Sequence, residues 1–328
     1  MTPSAKQRIL AAASIVVVAC GAMMIPMGAI HIEETRACEG SRESPGSATS
    51  DIPSDVPRGI PMIFIHHSCG GQLLAQPGPD VGESCIYESH PNGGNLRTLL
   101  TTHGYLVHEA SYDSVVGGHT DMFDYLPKFK EQMPRILRTA RQDQLLPEGQ
   151  RNRIVVFKSC FTESEFVGEG EGAGNPQGPG LTVANARATL SALLAELAKY
   201  PDTLFVYVTA PPLTPNVPAE PAWKWLAKKL AGRGMSEASY RERGRLARNF
   251  NEWVSSPSGW LRGYQGNNVV VYNYYDALTG HGCSNFLHYV NADDIYDSHP
   301  ARHGNEVAAR EFLNTLNTAV RERGILPP

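Results

Sequence analysis

Five short apolar runs alternate with amphipathic stretches from residue 59 onward. The runs are rich in β-branched and aromatic residues and have the length of buried strands. They cover residues 61–67, 105–110, 153–159, 203–210 and 268–274. Strands that alternate with helices predict a parallel sheet with helices on both faces. The expected fold class is therefore α/β, a three-layer sandwich with a doubly wound, five-stranded parallel sheet.

Helix signals separate these runs. Residues 95–104 form an apolar-periodic stretch that ends at Gly104. A longer helix is predicted from Thr182, a good N-cap residue, and places four leucines on one face: Leu190, Leu193, Leu194 and Leu197. Residues 304–320 predict a final helix.

The N-terminal segment differs from the rest of the chain. Residues 9–30 are apolar and uncharged, and Lys6 and Arg8 precede them. Three outcomes fit this pattern: signal cleavage after Ala37, a lipoprotein-type cleavage box ending at Cys20, or an uncleaved membrane anchor. All three predict an extracytoplasmic location. Residues 38–58 are rich in Ser, Pro and Gly, which is typical of a flexible linker.

The expected organisation is a signal peptide or anchor at 1–37, a linker at 38–58 and one catalytic domain at 59–328. Net charge is −4 over 328 residues, so nucleic acid is not an expected partner. Six cysteines are present, at positions 20, 38, 69, 85, 160 and 283, and no Cys-x-x-Cys pair occurs. In an oxidising compartment we expect at least one disulfide among the last four, with Cys85 the favoured partner.

Two insertions interrupt the pattern. Residues 165–180 are Gly-rich and acidic and predict a surface loop. Residues 214–248 carry Trp223, Trp225 and several Lys and Arg residues. A solvated basic helix face is the preferred interpretation of this segment. A lid over an anionic or sugar-like substrate is the alternative.

Candidate chemistry stands where the apolar runs end. The first run passes into "MIFIHHSCGG" at residues 62–71, and "YDSHPARHGNEVA" precedes the final helix. Ligands of parallel sheets bind beyond the carboxyl ends of the strands. A serine there becomes a nucleophile only if a base accepts its proton and a third group orients the base. Ser68, His299 and Asp297 are the candidates for these roles.

These segments resemble the sequence blocks of the SGNH/GDSL hydrolase superfamily over residues 59 to about 320. "IFIHHSCGG" stands where the first block carries its nucleophilic serine, here Ser68. "SYDSVVGGHTD" resembles the second block and offers Gly118. "DSHPARHGNEVA" resembles the last block and offers His299. The resemblance implies a flavodoxin-like strand order and a serine esterase, with an oxyanion hole from the backbone N–H groups of Ser68 and Gly118.

The chain departs from the family pattern in three places. His66-His67-Ser68 replaces Gly-Asp-Ser, and the third block, "FKSCFTES", lacks the Asn that donates to the oxyanion. Ser159 is the preferred substitute donor, with Thr162 and Ser164 as alternatives. Asp297 lies two residues before the histidine rather than three, so Asp294 or a backbone carbonyl stays open as the group that orients His299.

The expected function is a secreted or membrane-tethered esterase that hydrolyses carboxylic esters, with acyl groups on carbohydrate as one substrate class. No cofactor and no metal are expected, and the oligomeric state is left open. One alternative is a non-catalytic carbohydrate-binding module on the same fold. Another is a metal-dependent hydrolase with five candidate ligands, which lack a recognised spacing: His66, His67, His119, Asp121 and His299. Because strand side chains alternate, His66 and His67 should point to opposite sides, with one of them buried.

Overall fold

The computed structural model describes residues 29–32, 59–217 and 236–325. The predicted linker and nearly all of the predicted signal peptide or anchor lie outside these ranges, as do Trp223 and Trp225. Among the described residues, no helix combines the length and the apolar character needed to cross a membrane.

The described residues divide into two compact units. The smaller one contains residues 29–32, 215–217 and 236–242, and in it the strand Ile30–His31 pairs antiparallel with the strand Asn216–Val217. The larger one contains residues 59–214 and 243–325 and holds every candidate site residue. The elements below belong to the larger unit, except that one helix begins in the smaller one.

The larger unit contains ten strands and seven helices within the described residues. The strands are β1 (Ile60–Ile65), β2 (Gln76–Pro77), β3 (Val81–Glu83), β4 (Ile86–His90), β5 (Tyr105–Ala110), β6 (Thr139–Arg141), β7 (Gln144–Leu145), β8 (Ile154–Lys158), β9 (Leu204–Val208) and β10 (Val269–Tyr272). The helices are α1 (Ser68–Leu74), α2 (Leu96–Thr102), α3 (Tyr125–Arg138), α4 (Val183–Leu197), α5 (Glu237–Ser255, which begins in the smaller unit), α6 (Tyr274–Leu278) and α7 (Arg302–Glu322).

Seven strands form the main sheet in the order β10-β9-β8-β1-β5-β6-β7. The five apolar runs of the sequence form β1, β5, β8, β9 and β10, which pair in parallel with their neighbours. The main sheet has seven strands rather than the five predicted, because the short strands β6 and β7 extend it at one edge. A separate small sheet, β2-β4-β3, lies within residues 76–90. These added strands are short and mostly exposed, so they carry no apolar run that a sequence pattern could reveal.

Successive side chains of the central strands point to opposite faces of the sheet and pack into two separate cores. On β1, Ile63 and Ile65 face one core together with α3 and α4, whereas Met62 and Phe64 face the other with α2 and α7. Burial of apolar side chains on both faces contributes about 25 cal/mol for each Å² removed from water, which fixes the layers around the sheet. Helix α4 begins as predicted, since the Thr182 side chain accepts a hydrogen bond from the N–H of Asn185 at 3.2 Å.

The cysteine prediction is wrong in its pairing. Cys69, Cys85 and Cys160 are free thiols, whereas Cys283 is disulfide-bonded. Its partner is therefore none of the other three. Cys69 and Cys160 do meet at one sheet edge, as their positions after neighbouring strands predict, with their Sγ atoms 3.8 Å apart.

Candidate active site

The chain makes a tight turn between β1 and α1 that presents Ser68. His67 is the extended N-cap residue, and Ser68 is the first residue of the helix. The carbonyl of His67 accepts hydrogen bonds from the N–H groups of Gly70 and Gly71 at 2.8 and 3.2 Å. A Cβ on Gly71 would lie 1.9 Å from the carbonyl oxygen of Cys85, so only glycine fits there. A Cβ on Gly70 would lie 2.4 Å from the Cβ of His66, so both glycines of "MIFIHHSCGG" serve the close packing of this turn.

Ser68, His299 and Asp297 form one chain of hydrogen bonds. The Oγ of Ser68 lies 2.8 Å from Nε2 of His299, and Nδ1 of His299 lies 2.6 Å from Oδ1 of Asp297. Ser68 and His299 are 231 positions apart along the chain. The carboxyl end of β1 and the loop before α7 bring them together at the same edge of the sheet.

Several contacts fix the orientation of the His299 ring. Asp297 Oδ1 also accepts from the backbone N–H of His299 at 3.1 Å, and the ring of Phe161 packs edge-on at 5.2 Å between centroids. The carboxylate at Nδ1 selects the tautomer that carries its proton there. Nε2 is then the acceptor for the Ser68 hydroxyl. Asp294 does not orient the ring, because Nδ1 of His299 is bonded to Asp297, while Asp294 Oδ1 accepts from the N–H of Tyr296.

The electrostatic environment of His299 and Asp297 favours a protonated histidine beside an ionised aspartate. Burial disfavours the imidazolium of His299, but the hydrogen bond and charge of Asp297 outweigh it and raise the pKa of His299. Burial likewise opposes ionisation of Asp297, yet its hydrogen bond to His299 and the charge of that residue lower the pKa of the carboxyl. A half-buried acceptor next to an ionised carboxylate is suited to taking up a proton.

Gly118 does not present its N–H to the site. That N–H donates to the carbonyl of Ser114 at 2.8 Å, inside the loop that follows β5. The Lys128 ammonium donates to three carbonyls of this loop, at 2.8, 2.6 and 2.5 Å, which holds the loop in this conformation: Val116, Gly118 and His119. The expectation that Gly118 supplies an oxyanion donor is therefore corrected.

The Ser68 hydroxyl bonds to none of the three residues expected to replace the Asn donor, which are Ser159, Thr162 and Ser164. Ser159 follows Phe157 on the same side of β8, is fully buried, and its Oγ has no hydrogen-bond partner among the described residues. Ser164 donates to the carbonyl of Pro211. Cys160 faces Ser68 instead, with its Sγ 3.3 Å from the serine Oγ. Its place directly after the end of β8, a strand that the sequence predicts, is the signal that could have found it.

Tyr112 is a second site residue that the sequence analysis missed. Its ring stacks on His67, the residue before the nucleophile, with centroids 3.8 Å apart. Burial raises the pKa of Tyr112 to about 12, so the phenol keeps its proton at neutral pH. The side chain is 36% exposed and forms an aromatic surface beside the nucleophile. Its place in a polar loop after β5 gave no signal in the sequence.

His66 and His67 are both buried, whereas the strand alternation predicts that only one of them is. His66 Nε2 donates to Glu109 Oε1 at 2.9 Å and its Nδ1 donates to the carbonyl of His67 at 2.9 Å. Both ring nitrogens of His66 are therefore held by oxygen atoms. Arg97 pairs with the other oxygen of Glu109 at 2.6 Å. This buried network, Arg97-Glu109-His66, supports the backbone just before the nucleophile.

The structure does not gather the five histidine and aspartate residues considered as metal ligands. His66 has both ring nitrogens bonded, and His67 Nε2 lies 3.0 Å from the carbonyl of Gly117. Burial lowers the pKa of His67 to about 4, so its neutral ring donates to that carbonyl. Within the described ranges, one group has its ligand atoms close enough to hold a metal ion: Cys69, Cys160 and His299.

Comparisons with known proteins give weak similarities. No family model matches the chain, and no curated protein matches it. One similar structure is a carbohydrate esterase family 2 enzyme with a carbohydrate-binding domain from Corynascus thermopiles (Myceliophthora fergusii), at 13% identity and a TM-score of 0.37 over 80% of this chain and 67% of that one. Another is a salicylyl-acyltransferase from a tetracycline biosynthetic pathway, at 13% identity and a TM-score of 0.35 over 84% of this chain and 57% of that one. TM-scores this low establish neither a shared fold nor a shared function.

Proposed function

We propose that the chain is a serine esterase that hydrolyses carboxylic esters through Ser68, His299 and Asp297. The single observation that carries this proposal is the continuous hydrogen-bond chain, 2.8 Å from serine to histidine and 2.6 Å from histidine to aspartate. The five longest strands of the main sheet lie side by side in the order β5-β1-β8-β9-β10. Numbered by their sequence order this is 2-1-3-4-5, which supports assignment to the flavodoxin-like, doubly wound class.

The proposed reaction begins with proton transfer. His299 Nε2 accepts the hydroxyl proton as Ser68 Oγ attacks the ester carbonyl, and Asp297 stabilises the imidazolium that forms. The tetrahedral intermediate collapses as His299 returns the proton to the leaving alcohol. Water then attacks the acyl-serine with His299 as base, which releases the acid and restores the serine.

The developing oxyanion needs donors in place of Gly118. The N–H groups of Ser68 and Cys69 open α1, and the first N–H groups of a helix have no acceptor within the helix. The hydroxyl of Tyr112, which keeps its proton and whose ring stacks on His67 next to Ser68, is a third candidate donor. One donor of this kind contributes about 10²–10³ in turnover.

The surroundings of Ser68 support an ester on a carbohydrate as substrate. The exposed ring of Tyr112 gives a sugar a flat apolar surface to pack on, directly beside the nucleophile. An extracytoplasmic location, which the apolar residues 9–30 predict, would give the enzyme access to such polymers outside the cell.

Labelling with a serine-directed phosphonate probe tests the proposal. We expect the full chain to acquire one probe adduct on Ser68, with Ser68→Ala unlabelled, because an activated serine displaces the leaving group of the probe. Ser258→Ala, which removes an exposed serine, is the matched control and should be labelled like the wild type. A folded chain that stays unlabelled contradicts the esterase and favours the binding module.

The pH dependence of turnover follows from the raised pKa of His299. Only the neutral imidazole accepts a proton, so the rate falls as pH decreases through this pKa, above the ordinary value of about 6.5. In Asp297→Asn we expect turnover to fall roughly 10²–10⁴-fold and the acidic limb to move to lower pH. Steady-state kinetics across pH measure both. Asp294→Asn is the matched control, and a larger effect there would contradict the assignment of Asp297.

A further inference from the structure

Two thiols and an imidazole meet around the nucleophile. Cys69 is fully buried at the start of α1, Cys160 is nearly so after β8, and both are free. The Sγ atoms of these cysteines and a ring nitrogen of His299 lie within 4.8 Å of one another. The esterase mechanism uses His299 and gives neither thiol a role. We propose that Cys69, Cys160 and His299 form an inhibitory zinc site that captures the catalytic base.

The donor set and its spacing suit zinc. Zinc binds thiolate and imidazole ligands in a tetrahedron, and sites with two cysteines, one histidine and an open fourth position are known. Two sulfurs on one tetrahedral zinc, each at about 2.3 Å, lie about 3.8 Å apart. The Sγ atoms of Cys69 and Cys160 are 3.8 Å apart. The sulfur pair therefore already has the separation of one tetrahedral edge.

The groups around these ligands favour metal binding as well. Histidines that bind zinc usually donate their other ring N–H to a carboxylate, and His299 donates to Asp297 at 2.6 Å. Each thiol that binds the ion releases its proton to solvent. The hydroxyl of Ser68, 3.3 Å from Cys160 Sγ and 2.8 Å from His299 Nε2, or a water takes the fourth position.

Zinc bound here would block hydrolysis. Its bond to Nε2 occupies the lone pair that accepts the serine proton, so Ser68 loses its base. This consequence rests on the proposed function, whereas zinc binding itself does not.

Zinc titration of the full chain in competition with a chromophoric chelator tests the site. We expect one zinc per chain that Cys69→Ala and Cys160→Ala each weaken by at least about 100-fold. Asp297→Asn should weaken it about 10–100-fold, the usual effect of removing the group behind a ligating histidine. Cobalt(II) in place of zinc should give a thiolate-to-metal charge-transfer absorption. Cys85→Ala, which removes a free thiol outside the site, should bind zinc like the wild type.

A second measurement links the site to catalysis. Zinc should inhibit ester hydrolysis over the concentration range in which it binds, and EDTA should reverse the inhibition. Zinc binding with these variant effects in a chain without esterase activity would refute the proposed function and support the zinc site. Three results would overturn the zinc site: equal affinity in wild type and Cys69→Ala, no charge-transfer absorption, or a Cys69–Cys160 disulfide in the purified chain.

Discussion

Ser68→Ala is expected to reduce the hydrolysis of nitrophenyl acetate by about 10⁴–10⁶-fold, to the background rate. The Oγ of Ser68 is the atom that attacks, and the variant removes it without disturbing the turn, since alanine suits the first position of a helix. His299→Ala should have a comparable effect, because the serine then keeps its proton. Initial rates on purified, folded protein in the presence of EDTA measure both variants.

The double variant separates a catalytic unit from two independent contributions. Ser68→Ala combined with His299→Ala should lose little more than either change alone, since each member acts only with the other. Ser258→Ala, an exposed serine, should retain the wild-type rate. Full activity in Ser68→Ala, or loss of activity on chelation that zinc restores, would contradict the serine mechanism.

Glu109→Gln is expected to destabilise the fold by about 3–5 kcal/mol, because it removes the buried carboxylate that pairs with Arg97 and holds the ring of His66. Glu109 is only 5% exposed and bonds His66 and Arg97, at 2.9 and 2.6 Å. Burial alone would raise the pKa of this carboxyl, but the hydrogen bonds and charges of His66 and Arg97 lower it. Urea unfolding followed by circular dichroism measures the free energy of unfolding.

The pH dependence of the difference in unfolding free energy between wild type and Glu109→Gln gives a second readout. A carboxyl with a lowered pKa stabilises the fold above its unfolded pKa, about 4.3, and this contribution is lost as pH falls through the lower folded value. The gap in stability between wild type and Glu109→Gln should therefore be full at pH 6 to 7 and narrow in acid below about pH 4. The exposed pair Arg135–Asp143 supplies the control, since Asp143→Asn should cost less than about 1 kcal/mol. Equal losses in the two variants would contradict a structural role for the buried network.

The sequence predicted the elements whose signal is local. The five apolar runs form five parallel strands, and in β1, β8 and β9 nearly every position is buried, so these strands are almost entirely apolar. The order of turn residues after β1 placed Ser68 at a strand end, and the His-Pro segment placed His299 before the last helix. Edge strands β6 and β7 escaped prediction because exposed backbone pairing requires no apolar pattern.

The oxyanion donors and the thiol pair depended on tertiary structure. Gly118 looked suitable in its block, but a hydrogen bond within the loop uses its N–H, and Lys128 from α3 fixes that loop. Tyr112 comes from the same region and lies beside the nucleophile only because its loop brings the ring onto His67. Which N–H is free and which ring is near depends on loop conformation, and a one-dimensional pattern does not encode it.

The sequence by itself determined the α/β layering, the strand ends that carry Ser68 and the N-cap at Thr182, since apolar periodicity, turn residues and helix caps act over a few neighbouring positions. Only the tertiary structure decided that Asp297 rather than Asp294 holds His299, that Glu109 pairs with His66, and that Cys160 meets both Cys69 and Ser68. Each of these contacts requires atoms to approach within a few ångströms across the sheet edge or along a loop. Such distances follow from how whole strands and helices pack, because residues far apart in sequence have no local signal of their proximity.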